Sequence, residues 1–448
     1  MNVDAGSDDA KDEDSQRRHY RWIYTAVLIA CFFMYGLFEL MTGPALMDLI
    51  QITSSSVGQV SRIISTQYVA YFVGSVCCGL FLDRLDRQLV IMAAMLCLVV
   101  ATSATPITES ISVLWVAHPV AGFMYAVLDV AATSWMTELW DPNPNTFLQA
   151  MYCGNTIGGS VASLLVHPFL SPDLDQEFRD LDANSSSSAW HTEQSSRIVI
   201  PYAIASGTGF AISALILLLH IMMPYQCRNS DAVVEGERHA GDRDRLLRNN
   251  VRVDGVDHVT FIVSGCSLIC SLACVKINTG QFLPTFAVLS ALRLQKSTGT
   301  SLLSGYNISG AVSTAVSIWI ATKCNSWTIL CANVLTIVVG SVLFLAASFC
   351  SEAMMWISIC IVGFGGGALS ATIFAFLSEK IRMQNRVYAY LMIAKSVGRI
   401  TVPLVVGSVI ESHPLIFPFS NVLPGLMMTV SLLCLILMKS MRDGALCI

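Results

Sequence analysis

The sequence predicts an all-α integral membrane protein, with twelve transmembrane helices in two pseudo-symmetric six-helix bundles. Three observations predict it. Of 448 residues, 54% are hydrophobic and only 13% are charged, whereas soluble domains carry about 25% charged residues. Twelve apolar runs are long enough to cross the hydrocarbon core as helices, which need about 20 residues and satisfy their own backbone hydrogen bonds in lipid. A long polar stretch at 224–258 parts these runs six and six.

The runs fall at 22–49, 58–82, 88–108, 111–137, 147–170, 198–223, 259–290, 299–321, 327–349, 353–379, 386–411 and 416–439. The chain then divides into a polar amino-terminal tail (1–21), a first bundle (22–223), a linker (224–258), a second bundle (259–439) and a short carboxy-terminal tail (440–448). Residues 1–21 hold Asp8, Asp9, Asp12, Glu13 and Asp14 followed by Arg17, Arg18 and Arg21, so the apolar run opening at Trp22 is expected to be a retained helix and not the core of a cleaved leader.

Orientation follows from the distribution of Lys and Arg. With the amino terminus in the cytoplasm, 18 of the 26 basic residues fall in cytoplasmic segments and 5 in outer ones, leaving Lys276, Lys395 and Arg399 inside spans. Both termini are therefore expected to be cytoplasmic, in a multi-pass protein of the plasma membrane. The loop between the fifth and sixth spans is then external, and it contains Asn184-Ser185-Ser186, a glycosylation acceptor.

Composition also excludes classes. The net charge is −5 and basic residues sit in short clusters between apolar runs, so the expected partners are the lipid bilayer and a small-molecule solute, with no nucleic acid. The chain is expected to work as a monomer. Most of the 15 cysteines, among them Cys31, Cys77, Cys78, Cys97, Cys266 and Cys270, lie in apolar runs and read as packing residues, with no metal site implied. No zinc-protease, nucleophile-elbow or P-loop motif is present, so an enzyme is not expected. Gly363-Phe364-Gly365-Gly366-Gly367-Ala368 spells a dinucleotide-binding pattern, but inside a membrane span it reads as close helix packing.

The first span of each half carries a related phrase. Glu39 stands four residues before Gly43, and Lys276 four before Gly280; about thirty residues further on, Gly74 and Gly310 follow in the next spans, as duplicated halves predict.

Between the second and third spans, Gly79-Leu80-Phe81-Leu82-Asp83-Arg84-Leu85-Asp86-Arg87 resembles the Gly-x-x-x-Asp-Arg-x-Gly-Arg signature of the major facilitator superfamily, with Asp86 in place of the second glycine. The resemblance implies a gating role for Gly79, Asp83, Arg84 and Arg87, with Gly79 permitting close helix approach, Asp83 acting on a helix terminus and the arginines anchored at the cytoplasmic surface. Gly43-Pro44-Ala45-Leu46-Met47-Asp48-Leu49, Asp129 with Leu139-Trp140, and Leu148 through Gly154, Gly158 and Gly159 to Leu170 are similar to the sodium-dependent glucose transporter group of that superfamily. The chain departs from the group at Lys276, where an acidic residue is usual, and at Thr133, where Asn is common. An ammonium at position 276 would occupy the space of a coupling cation.

What the resemblance implies is a secondary transporter that moves a small hydrophilic solute, a hexose or related sugar, by alternating access, as a symporter with sodium or protons as candidate coupling ions and no cofactor. The alternative is a transport-inactive receptor or scaffold that keeps the fold. The first, fourth, seventh and tenth helices would line a central cavity, with the eleventh beside it.

Ionisable residues at mid-membrane cost several kcal/mol and are functional candidates by default. Here these are Glu39, Asp129, Lys276, Lys395 and Arg399; Lys395 and Arg399 share a helix face that looks inward or toward the second helix. Gln149, Asn155, Asn278, Gln281, Tyr306 and Asn307 are neutral polar candidates, since amides both donate to and accept from sugar hydroxyls.

Overall fold

The computed structural model describes residues 5–107, 110–140, 145–170, 197–223, 255–320, 323–349, 351–381 and 385–445. Asn184 and all but the end of the 224–258 linker lie outside the described residues. Those residues form twelve α-helices and no strand: α1 Ala5–Ile52, α2 Val57–Phe81, α3 Arg87–Ile107, α4 Ile111–Leu139, α5 Asn145–Val166, α6 Val199–Met222, α7 Gly255–Leu289, α8 Lys296–Ile320, α9 Ser326–Ala347, α10 Glu352–Lys380, α11 Asn385–Val409 and α12 Ile416–Ala445. Short 3₁₀ turns follow α2 at Leu82–Arg84 and α5 at His167–Phe169.

The first helix differs from expectation, since it starts at Ala5 and absorbs the polar tail, while its apolar portion begins at Tyr20. No Gly or Pro lies between Ser7 and Tyr35, and the Glu13/Arg17 and Asp14/Arg18 spacings each favour a continuous helix. Loop ends are set by local capping. Before α2, the Ser56 hydroxyl accepts from the Gln59 backbone N–H at 3.2 Å while the Gln59 side chain accepts from the Ser56 N–H at 3.2 Å. Before α3, Asp86 fills the same role: its carboxylate accepts from the Gln88 backbone N–H at 2.9 Å. The acid that replaces a signature glycine therefore caps the next helix.

Packing repeats with a shift of six helices. In the first half α1 packs on α5, α2 on α4, α3 on α4 and α6; in the second α7 packs on α11, α8 on α10, α9 on α10 and α12. Two further pairs, α2 with α11 and α5 with α8, join the halves and exchange under the same shift. The repeated phrases meet at the pseudo-twofold axis. A side chain at Gly43 would collide with the Gly280 backbone carbonyl, so these two glycines let α1 and α7 touch. Gly363 and Gly367 likewise lie against the Tyr306 and Gly310 carbonyls of α8, which accounts for the glycine run of α10 as helix packing.

Ten of the described helices are long and apolar enough to cross a membrane. The remaining two, α5 and α8, bring polar residues to the seam between the halves, where the Asn307 amide donates to the Gly159 carbonyl at 3.4 Å. A helix covered by protein on that side needs less apolar surface than one ringed by lipid. Outward faces are apolar instead, as in the exposed α2 stripe of Val69, Val73, Val76 and Leu80.

Candidate functional site

A cavity of about 130 Å³ lies between the halves. A cavity of about 150 Å³ admits a benzene-sized ligand, so this space accepts a small molecule. It is lined from α1, α4, α5, α7, α8, α10 and α11, and all five intramembrane charges reach it: Glu39, Asp129, Lys276, Lys395 and Arg399.

Four of the five are paired across the halves. The Arg399 guanidinium of α11 forms an ion pair with the Glu39 carboxylate of α1 at 3.1 Å, with both side chains nearly buried at 14% and 9% exposure. One turn earlier on α11, the Lys395 ammonium donates to Asp129 of α4 at 3.5 Å. Tyrosines complete both acids. The Tyr71 hydroxyl donates to Asp129 at 2.6 Å, Tyr152 donates to its other oxygen at 3.2 Å, and Tyr68 donates to Glu39 at 3.3 Å. Arg399 also lies 5.3 Å and 5.4 Å from the ring centres of Tyr68 and Tyr71, a cation–π arrangement that favours a charge away from bulk water. The α11 charges thus face both the cavity and α2.

Lys276 is the exception. It lines the same cavity, yet no described residue forms an ion pair or hydrogen bond with it.

Of the neutral candidates, Asn155, Tyr306 and Asn307 line the cavity. The Asn155 amide nitrogen has no hydrogen-bond partner among the described residues. Three others sit elsewhere. Asn278 donates to Asn421 at 2.9 Å and to the Phe417 carbonyl at 3.0 Å, tying α7 to α12. Gln281 donates to the Glu39 backbone carbonyl at 3.4 Å, tying α7 to α1. Gln149 is half-buried on α5 and is not among the cavity-lining residues.

The loop signature is partly rewritten. Gly79 is exposed and an added Cβ would meet open space, so close helix approach is not its role; Gly74 makes that approach, against the Phe123 carbonyl of α4. Arg84 is exposed, and Arg87 pairs with Glu138, linking α3 to α4. The Asp83 side chain lies outside the described residues.

The halves are closed on the side away from the termini. There Lys296 of α8 donates to the fully buried Asp48 of α1 at 3.4 Å, the Val57 backbone N–H donates to Glu411 at 2.8 Å, and Gly58 lies with its Cβ direction 3.4 Å from the Gly407 carbonyl. Sequence reasoning left Asp48 and Lys296 out of the site, because each stands near a helix end where a solvated charge is ordinary.

The family model described as the Major Facilitator Superfamily matches residues 28–403. The sodium-dependent glucose transporter 1 of Rattus norvegicus is 26% identical over 156 residues, 35% of this chain and 32% of that protein. Its Homo sapiens counterpart is 20% identical over 398 residues, 87% of this chain and 74% of that protein. The matched part of the chain spans about a third of the length of the first of these relatives. Among solved structures, the transporter FucP in an outward conformation is similar in fold, with a TM-score of 0.61 at 16% identity over 92% of this chain and 97% of that one.

Proposed function

The chain belongs to the major facilitator superfamily, and from that premise we propose that it moves a small hydroxylated solute, a hexose or related sugar, by alternating access through the cavity between its halves. The observation that carries this reading is the placement of the charges. Glu39–Arg399 and Asp129–Lys395 each join one half to the other around a cavity that accepts a small molecule. Such pairs break when the halves rotate apart and re-form when they return, so they set the relative stability of two packings. The Asn155 amide nitrogen, which has no partner among the described residues, suits a hydroxyl group, and the relatives named as glucose transporters support a sugar.

Glu39 and Asp129 are the groups on which a driving proton or sodium ion would exchange in a symport cycle. The protein sits, in this reading, in the plasma membrane as a monomer with both termini cytoplasmic, so the closed side is the outer one. Uptake of labelled glucose into vesicles reconstituted with the purified protein, under imposed sodium or proton gradients, tests the reading. Saturable uptake above protein-free vesicles is expected; no uptake under any gradient would overturn it.

A further inference from the structure

The charges lining the cavity do not balance, and the residue left over is Lys276. Both acids already have a basic partner. Glu39 holds Arg399 and the Tyr68 hydroxyl; Asp129 holds Lys395 and the hydroxyls of Tyr71 and Tyr152. Lys276 has no such partner among the described residues, and the cavity it lines holds three basic side chains against two acids. Its position explains why no described acid pairs with it. Lys276 stands on α7 one turn before Gly280, where α7 touches α1, and its counterpart on α1, Glu39, is committed to α11.

An ammonium held in a low-dielectric cavity without a counter-charge is costly, and the cost is recovered when a ligand brings the missing anion. Resting on the transport reading above, we infer that the solute is a sugar acid: a polyhydroxylated molecule with one carboxylate, which pairs with Lys276. One unmatched positive charge calls for a monoanion. A phosphate ester, at about −1.5 to −2 charges near neutral pH, would leave the cavity negative by about 0.5 to 1 charge. The rest of the molecule matches hydroxyls, for the Asn155 amide nitrogen donates to no described residue and Asn307 lines the same cavity from α8.

The test compares uptake of labelled D-glucuronate with that of D-glucose, the same ring with a neutral group at carbon 6, in vesicles reconstituted with the full chain. The parent is expected to take up glucuronate with a kcat/KM at least about tenfold above that for glucose, the order of a charge-assisted hydrogen bond. Lys276→Gln should remove that preference, lowering glucuronate uptake about tenfold more than glucose uptake, and Lys276→Arg should retain it. Because glucose uptake reports folding in each variant, loss of glucuronate uptake alone is interpretable. Equal handling of the two sugars by the parent, or an equal fall in both on Lys276→Gln, would overturn the assignment and leave the sugar-transport reading standing. Failure of the parent to carry either sugar would overturn both.

Discussion

Replacing Glu39 by Gln is expected to damage transport more than replacing Glu39 and Arg399 together. At 3.1 Å, two unit charges at an effective dielectric constant near 20 attract by about 5 kcal/mol. Desolvation offsets much of this in the intact pair, but orphaning one buried partner costs about 3–5 kcal/mol. In Glu39→Gln the cavity would hold three cations against Asp129 alone, and the guanidinium would keep only its tyrosine rings and a neutral amide. Three kcal/mol is about a hundredfold in rate. The assay is a double-mutant cycle on the kcat/KM of uptake, using Glu39→Gln, Arg399→Gln and the double variant, with surface expression as control. A fall of about a hundredfold is expected for each single change, and a coupling energy of at least about 1.5 kcal/mol, so that the double variant recovers tenfold or more over additivity. Additivity within about 0.5 kcal/mol would refute the pairing.

Other positions make separate predictions. Asp48→Asn removes the acid bonded to Lys296 on the closed side, so thiol reagents applied from outside should reach a cysteine placed at Ser61 several-fold faster than in the parent; an unchanged rate would deny Asp48 a gating role. Gly43→Val places side-chain atoms against the Gly280 carbonyl, an overpacking cost of about 1–3 kcal/mol that should abolish uptake with expression preserved, and parent-like uptake would contradict the α1–α7 contact. Asn184→Gln should abolish a glycosidase-sensitive mobility shift in protein from a eukaryotic host; a parent without that shift would show that the sequon is unused. Glu138→Gln leaves Arg87 without its acid and should lower the melting temperature by a few degrees, an effect absent if the pair is dispensable.

The charges of the site were legible because an ionisable residue stands out in an apolar span, and all five converge on one cavity. Tyr68, Tyr71 and Tyr152 were not, because an aromatic residue in a membrane helix looks like packing until its hydroxyl is seen on a carboxylate. Direction around a helix separates the remaining cases. Asn278 lies about 200° around α7 from Lys276 at roughly 100° per residue, and it faces α12 while Lys276 faces the cavity. Gly79 lies about 140° from Gly74 by the same geometry, which puts one glycine against α4 and the other in the open. Residue type identified candidates, but the phase of each helix, set by its neighbours, decided which way they pointed. Likewise α5 and α8 were legible as spans by their length, whereas their lower hydropathy made sense only once their polar faces met at the seam.

The proposed passage of solute between two halves that open alternately on either side is tested by a reversible lock on the closed side. Gly58 and Ser408 are close enough for a disulfide, with the Cβ direction of Gly58 3.8 Å from the Ser408 Cα. Gly58→Cys with Ser408→Cys, in a background with exposed Cys324 and Cys434 replaced by Ser, should lose uptake when oxidised and regain it on reduction, each single variant being indifferent to both treatments. A fully cross-linked protein that transports at the parent rate would contradict the claim.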